Sequence, residues 1–315
     1  MDLKGKTIII TGGNAGLGYA CAKTIAMANH DTHIVLACRN LEKSKVAINR
    51  LSQLTGNHHI VPIELDLSSM ESVRKFTHTY TRLKFPSLYA VICNAGVQIV
   101  NGTQYTKDGF ELTFGVNHLG HFLLVNMLLD QVDAHGRIIF VSSDTHDPLK
   151  KTGMPEPVYQ GAELLAYPDR SNIQLSGTKR YTTSKLCNIY CAYELAERIK
   201  TQTNKHISVN AFNPGLMPGT GLARNYNLIF RLIWKYVLPV MIPFIKGVNT
   251  VKKSGEALAF LVTSDNLEGV SGKYFDGKKE INSSELSYHT EHREELWRTS
   301  IELVQLQQNE TILSL

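Results

Sequence analysis

The sequence is short of charge, of paired cysteine and of any long unbroken apolar run. Charged residues make up 19% of the 315 residues, low for a soluble protein, and 33 basic against 28 acidic side chains leave a net charge of only +5. Basic runs are short, such as Lys150-Lys151 and Lys278-Lys279. They read as solvated surface rather than a nucleic-acid patch. The five cysteines, Cys21, Cys38, Cys93, Cys187 and Cys191, include no CxxC pair. The odd count argues against a disulfide framework or a zinc ribbon, and a reducing compartment is the simplest reading. Residues Met1 to Lys6 are polar and lead straight into Thr7, so no secretory signal is expected. The N-x-[ST] matches at Asn101, Asn282 and Asn309 then carry no weight, and a cytoplasmic location is expected. No repeat of solenoid period is visible.

What is present is an alternation. Short β-branched runs occur at Thr7–Thr11, His33–Ala37, Ile60–Glu64, Ala90–Cys93, Gly136–Ser142, Ile207–Phe212 and Lys273–Phe275. Most are continuously apolar, as in strands buried on both faces of a parallel sheet. Helical patterns lie between them at about 17–28, 42–55, 69–82, 108–131, 180–202 and 252–263. The order predicts an α/β fold, a doubly wound parallel sheet of Rossmann type with helices on both faces. Residues 1–282 are expected to form one domain, with 283–315 a helical extension carrying Trp297, Ile301 and Val304 at helical spacing. Residues 144–176 and 219–250 break the alternation, and excursions of that length are usually functional.

Ligands on such a sheet sit at the carboxyl ends of the strands. After the first run comes Thr11-Gly-Gly-Asn-Ala-Gly-Leu-Gly18, where Gly12, Gly16 and Gly18 leave backbone N–H groups open to a dinucleotide pyrophosphate. The second run ends in Cys38-Arg39-Asn40 without a carboxylate. Arg39 suits a 2′-phosphate, which favours NADP(H). Asp66 follows the third run, placed for an adenine amino group or as a helix cap, and Asn94-Ala95-Gly96 follows the fourth. Tyr181 and Lys185 stand four apart on one helix face. The ammonium is expected to lower the tyrosine pKa and make it a usable general acid or base.

With Asn117 in Val-Asn-His-Leu-Gly-His-Phe, Ser143 in Val-Ser-Ser, and Pro214-Gly215, these motifs resemble the short-chain dehydrogenase/reductase family over about residues 5–280. The resemblance implies a catalytic group of Asn117, Ser143, Tyr181 and Lys185. Ser143 would hold the substrate carbonyl and Tyr181 would exchange the proton. Lys185 would bind the nicotinamide ribose, and Asn117 would hold a water. It also implies cofactor contacts from Gly12, Asn14, Gly16, Leu17, Gly18, Arg39, Asp66, Leu67, Asn94, Ala95, Gly96, Tyr181, Lys185, Pro214 and Gly215. Within the family, Ala37–Asn40, Asn117–Phe122 and Ser184–Asn188 resemble the retinol dehydrogenase-like and light-dependent protochlorophyllide reductase-like branches. The Ser143 of Val-Ser-Ser departs from the second.

His118 and His121 stand three apart without an adjacent third ligand, and no metal is expected. Cys187 and Cys191 read as small helix hydrophobes. The stretch Leu228–Ile245 contains Arg231, Lys235, Pro239 and Pro243, so it is not expected to span a membrane. It is expected to cover an apolar small-molecule substrate, with peripheral membrane contact as the second reading. The expected function is NADP(H)-dependent hydride transfer to or from an apolar carbonyl or alcohol. The alternatives are C=C reduction of a conjugated substrate and a non-catalytic NADP(H)-sensing protein.

Overall fold

A computed structural model describes residues 3–220, 226, 232, 234, 236 and 248–315. Seven parallel strands form the sheet: β1 (Lys6–Thr11), β2 (His33–Cys38), β3 (Ile60–Glu64), β4 (Ser87–Cys93), β5 (Val132–Val141), β6 (Ser208–Asn213) and β7 (Lys273–Asp276). An eighth, β8 (Lys279–Ile281), joins antiparallel to β7 and was not expected from the sequence. The spatial order is β3-β2-β1-β4-β5-β6-β7-β8. The direction of winding therefore reverses between β1 and β4, where the first and fourth carboxyl ends open a crevice.

Alternation within each strand feeds two cores. Ile9, Val35, Val91 and Ile138 point to one face, while Ile8, Ile10, Ile34, Leu36 and Ile92 point to the other. Burying each of these side chains fully is worth about 1.5–3 kcal/mol, so a continuously apolar strand stabilises both layers at once. Helices α1 (Gly16–Ala28) and α2 (Leu41–Thr55) follow β1 and β2. α2 begins at Asn40, whose Oδ1 accepts from Lys43 N at 2.8 Å, and ends at Gly56 with φ 72°. α3 (Met70–Arg82) begins at Ser69, whose hydroxyl accepts from Ser72 N.

The helix expected over 108–131 is shorter and not uniform. It runs through Leu112–Phe114, a π-helical turn Gly115–Leu119, and Gly120–Leu128, together α4. The extra residue in the turn re-aims Asn117, and such turns are frequent at functional sites. α5 (Gly177–Gln202) carries Tyr181 and Lys185, and α6 (Val251–Thr263) packs beside α1. α7 (Thr290–Val304) lies in the segment after 283. It buries Leu296, Trp297 and Val304 in the same core as α4 and α5. The Trp297 ring meets Phe122 edge-on at 4.8 Å.

Most of the expected cover at 219–250 lies outside the described residues. Of those described there, Trp234 is buried and donates from Nε1 to Thr220 O at 3.0 Å, while Leu232 and Tyr236 are exposed.

Candidate active site

The glycine turn after β1 is clamped to the turn after β4. Asn94 Nδ2 donates to Thr11 O at 2.7 Å, and the Thr11 hydroxyl accepts from Asn94 N and Ala95 N, both at 2.9 Å. Those two bonds use both of its lone pairs. Its proton lies between Ile92 O at 3.3 Å and His121 Nε2 at 2.9 Å, and because the Asn117 carbonyl 3.1 Å from Nδ1 can only accept, His121 is the neutral tautomer with its proton on Nδ1. Burial holds His121 down to about 4, consistent with that tautomer. His118 is likewise buried and bonded to Ser300 Oγ at 2.8 Å. Neither histidine has a metal-ligand set around it among the described residues.

Asn117 is completely buried. Its Nδ2 donates to Val97 O at 3.0 Å and Ser184 Oγ at 2.9 Å, and its Oδ1 accepts from Val97 N at 2.8 Å. Both side-chain N–H groups are spent on protein partners, so Asn117 fixes the segment after β4 against α5.

The start of α5 is set by three residues. Ser176 caps it, its hydroxyl accepting from Lys179 N. A Cβ at Gly177 would overlap the Ile99 carbonyl oxygen, so only glycine permits this approach. Arg180 reaches back into the protein. Its guanidinium donates to Leu175 O at 3.1 Å, to Thr103 Oγ1 at 3.2 Å and to Gly102 O, and its Nε lies 3.3 Å from Glu111 Oε1. No sequence signal pairs Glu111 with Arg180.

Tyr181 and Lys185 share the inner face of α5, with Lys185 Nζ 5.6 Å from the centre of the Tyr181 ring. Lys185 is buried, and burial lowers its ammonium to about 8. Among the described residues its one protein acceptor is Val141 O at 3.1 Å. The expectation that Lys185 lowers the Tyr181 pKa is corrected. Burial first, then the Asp144 carboxylate and Tyr226, push the phenol well above its ordinary value.

The two adjacent serines differ. Ser142 is buried and donates to Lys185 O at 2.7 Å, so its hydroxyl is committed to the helix. Ser143 is half-buried at the carboxyl end of β5 and donates to Asp144 Oδ1 at 3.1 Å. Of the two, Ser143 is the one whose hydroxyl is not committed to α5.

The remaining expected cofactor residues follow the carboxyl ends of β1, β2, β3, β4 and β6. Gly16, at φ 56°, presents an open side toward Thr220, and Asn14, Leu17 and Gly18 complete the turn into α1. A Cβ added at Gly96 would lie 3.7 Å from Lys185 Nζ. Arg39 is exposed and makes no ion pair among the described residues. Asp66 accepts from Ser68 N and Ser68 Oγ and lies 3.4 Å from Lys107 Nζ. Burial alone would raise its carboxyl, but these partners outweigh it and hold it low. The cap of α3 is Ser69, not Asp66. Leu67 is buried under α4 at Gly120. Pro214 O accepts from Ser254 Oγ at 2.6 Å, which places Gly215 at the end of β6. A buried ammonium with N–H groups to spare, beside an open glycine turn, fits the ribose and phosphates of a dinucleotide.

Residues 6–154 match the short chain dehydrogenase family model. The chain is 32% identical to a WW domain-containing oxidoreductase of Danio rerio, over 96% of this chain and 69% of that protein. It is also 32% identical to a chloroplastic protochlorophyllide reductase of Daucus carota, over 96% of this chain and 79% of that one. Among solved structures it is similar in fold to an angucycline C-6 ketoreductase with bound NADP. That likeness has a TM-score of 0.61 and 20% identity, over 87% of this chain and 95% of the other.

Proposed function

Because the chain belongs to the short-chain dehydrogenase/reductase family, we propose that it transfers hydride between NADP(H) and an apolar carbonyl or alcohol. The observation that carries the reading is the buried Tyr181–Lys185 pair on one face of α5, with Ser143 half-buried at the end of β5. When bound, the nicotinamide cofactor supplies or accepts the hydride. The protein's own residues handle the proton and the position. Ser143 Oγ contacts the substrate oxygen, and Tyr181 Oη gives a proton to a carbonyl or takes one from an alcohol. Lys185 holds the ribose hydroxyls with the N–H groups that Val141 leaves free. A phenol kept protonated by burial suits proton donation, the direction of carbonyl reduction.

NADP(H) is preferred to NAD(H) on the strength of Arg39, exposed after β2, a strand that ends in Cys38-Arg39-Asn40 rather than in a carboxylate that would repel a 2′-phosphate. The neighbour with bound NADP agrees. Leu216, Leu232 and Tyr236 are exposed apolar side chains in the stretch that follows β6, which supports an apolar substrate. The five cysteines are free and buried, which suits the cytoplasm. No helix among the described residues is long and apolar enough to cross a membrane.

Reduction of a conjugated C=C bond is the second reading, favoured by the similarity to the carrot reductase. The test is Tyr181→Phe assayed with NADPH against a panel of apolar aldehydes and ketones. Turnover should fall by about 10²–10⁴ while NADPH affinity stays within a few-fold. Activity close to wild type removes Tyr181 from the mechanism. No turnover of any carbonyl by the wild-type protein, with NADPH bound, leaves the sensing alternative standing.

A further inference from the structure

We propose that His146 is a positioning residue for the hydride transfer: through it the segment 283–287, docked on α5, sets Ser143 in register with Tyr181. The proposal rests on the hydride-transfer reading and deepens it.

Ser143 and Tyr181 must meet at one substrate oxygen, yet they stand on different elements. Ser142 is tied to α5 directly, through its bond to Lys185 O. Ser143, one residue further along, makes no hydrogen bond to α5 among the described residues. Its ties run through the turn that follows. His146 is 1% exposed, and its ring lies against Tyr274 of β7 with the centres 4.9 Å apart. Burial lowers its pKa to about 4, so the ring is neutral and carries one proton. Ser284 N donates to Nε2 at 3.0 Å, which puts that proton on Nδ1, and Nδ1 donates to Ser143 O at 2.6 Å. The backbone N–H of His146 donates to the same carbonyl at 3.3 Å. Both lone pairs of the Ser143 carbonyl are therefore held by His146.

The far end of this link is anchored on α5. The Tyr193 and Ser283 hydroxyls bond at 2.7 Å, and Tyr190 Oη donates to Leu286 O at 2.8 Å. Ser287 N closes the segment on Ser284 O at 3.0 Å. Tyr190 and Tyr193 stand further along the helix that carries Tyr181 and Lys185. A hydrogen-bonded path thus runs from α5 through 283–287 and His146 to the Ser143 backbone. The Ser143 hydroxyl keeps its freedom to serve the substrate. Its oxygen is steadied by Thr145 N at 3.2 Å, and turning its proton from Asp144 to a substrate oxygen moves no heavy atom of the turn. Misplacing such a group by about 1 Å costs on the order of a hundredfold in rate.

The Ser284 hydroxyl is buried and bonds nothing among the described residues, and the backbone there, at φ −60°, suits proline. Ser284→Ala therefore keeps the N–H given to His146, and Ser284→Pro removes it. His146→Phe keeps a ring beside Tyr274 and removes both bonds. The assay uses NADPH and whichever carbonyl of the panel is turned over fastest. There kcat of Ser284→Pro should lie about ten- to a hundredfold below that of Ser284→Ala, and His146→Phe should fall as far. NADPH affinity should stay within a few-fold in all three. The loss should vanish once Ser143 is gone: Ser284→Pro added to Ser143→Ala should change kcat by less than about twofold. In protein labelled with ¹⁵N-histidine, NMR should find the His146 ring protonated on Nδ1, with His146→Phe identifying its signals among the 12 histidines. The proposal is overturned if that proton is on Nε2, or if Ser284→Pro turns over like Ser284→Ala. It is also overturned if Ser284→Pro costs as much in Ser143→Ala as alone, or if NADPH affinity falls with kcat, because the damage would then be general and not to the placing of Ser143. Near-normal turnover in Tyr181→Phe overturns the hydride-transfer reading instead and leaves the tautomer result standing.

Discussion

Replacing Arg180 with methionine removes the cation of a buried pair and keeps much of its aliphatic volume. Glu111 is 0% and Arg180 7% exposed, and the two meet at 3.3 Å without a well-aligned hydrogen bond. The guanidinium's other acceptors are Leu175 O, Thr103 Oγ1 and Gly102 O. Each loses a donor in the variant, at about 1 kcal/mol apiece. Removing one member of a buried ion pair costs about 3–5 kcal/mol in comparable cases. These counts overlap, and about 4 kcal/mol is the expected loss, or a Tm lower by about 8 °C. The pH dependence follows from Glu111. Burial already raises its carboxyl despite N–H bonds from Phe114 and Thr113 and the charge of Arg180. Without Arg180 it rises further. A carboxyl whose folded pKa lies above its unfolded value contributes its full stability below the unfolded value and loses it as pH rises through the folded one. The deficit of Arg180→Met should therefore be larger near pH 8 than near pH 5. Urea unfolding of both proteins at the two pH values measures it. A deficit below about 1 kcal/mol at the higher pH, or one that grows toward acid, would refute the reasoning.

Two other substitutions separate cofactor choice from core packing. Arg39→Ala should weaken NADPH about ten- to a hundredfold and leave NADH nearly unchanged, from the loss of a charge-assisted bond worth roughly 1.5–3 kcal/mol. Fluorescence titration with both cofactors checks it, and equal effects on the two would count against the assignment. Trp297→Ala should cost about 3–5 kcal/mol, since the ring is 2% exposed, meets Phe122 and lies under the Arg198 guanidinium. A melting curve within 2 °C of wild type would show that the residues after 283 add little to the core.

Where side chains declare themselves along one strand or one helix, the sequence was readable. Ile8 to Ile10 could only be a strand buried on both faces, and Ile60–Glu64 was placed to the residue. Tyr181 and Lys185 were found because four residues on a helix is a distance. The Asp144 carboxylate that accepts from Ser143 is not legible, because an aspartate after a strand looks like any turn former. β8 was missed because Lys279-Glu280-Ile281 is too short and polar to show alternation. The π-helical turn was missed because one added residue hardly alters the apolar period of α4. The environment of Tyr181 is not legible, because a sequence gives the spacing to Lys185 but not the depth of burial that raises the phenol.

The docking of α7 also sets a schedule for biosynthesis. Phe122 and Tyr190 are made early, while Trp297 and Leu313, which share their core, follow much later. At about 5–20 residues per second, the ribosome needs roughly 10–35 s to travel the stretch of about 175 residues from Phe122 to Trp297. For that interval Phe122 waits for the Trp297 ring that meets it in the finished core. A chaperone that binds exposed hydrocarbon has its longest opportunity there, and translation stalled before residue 290 leaves a product that never acquires that ring.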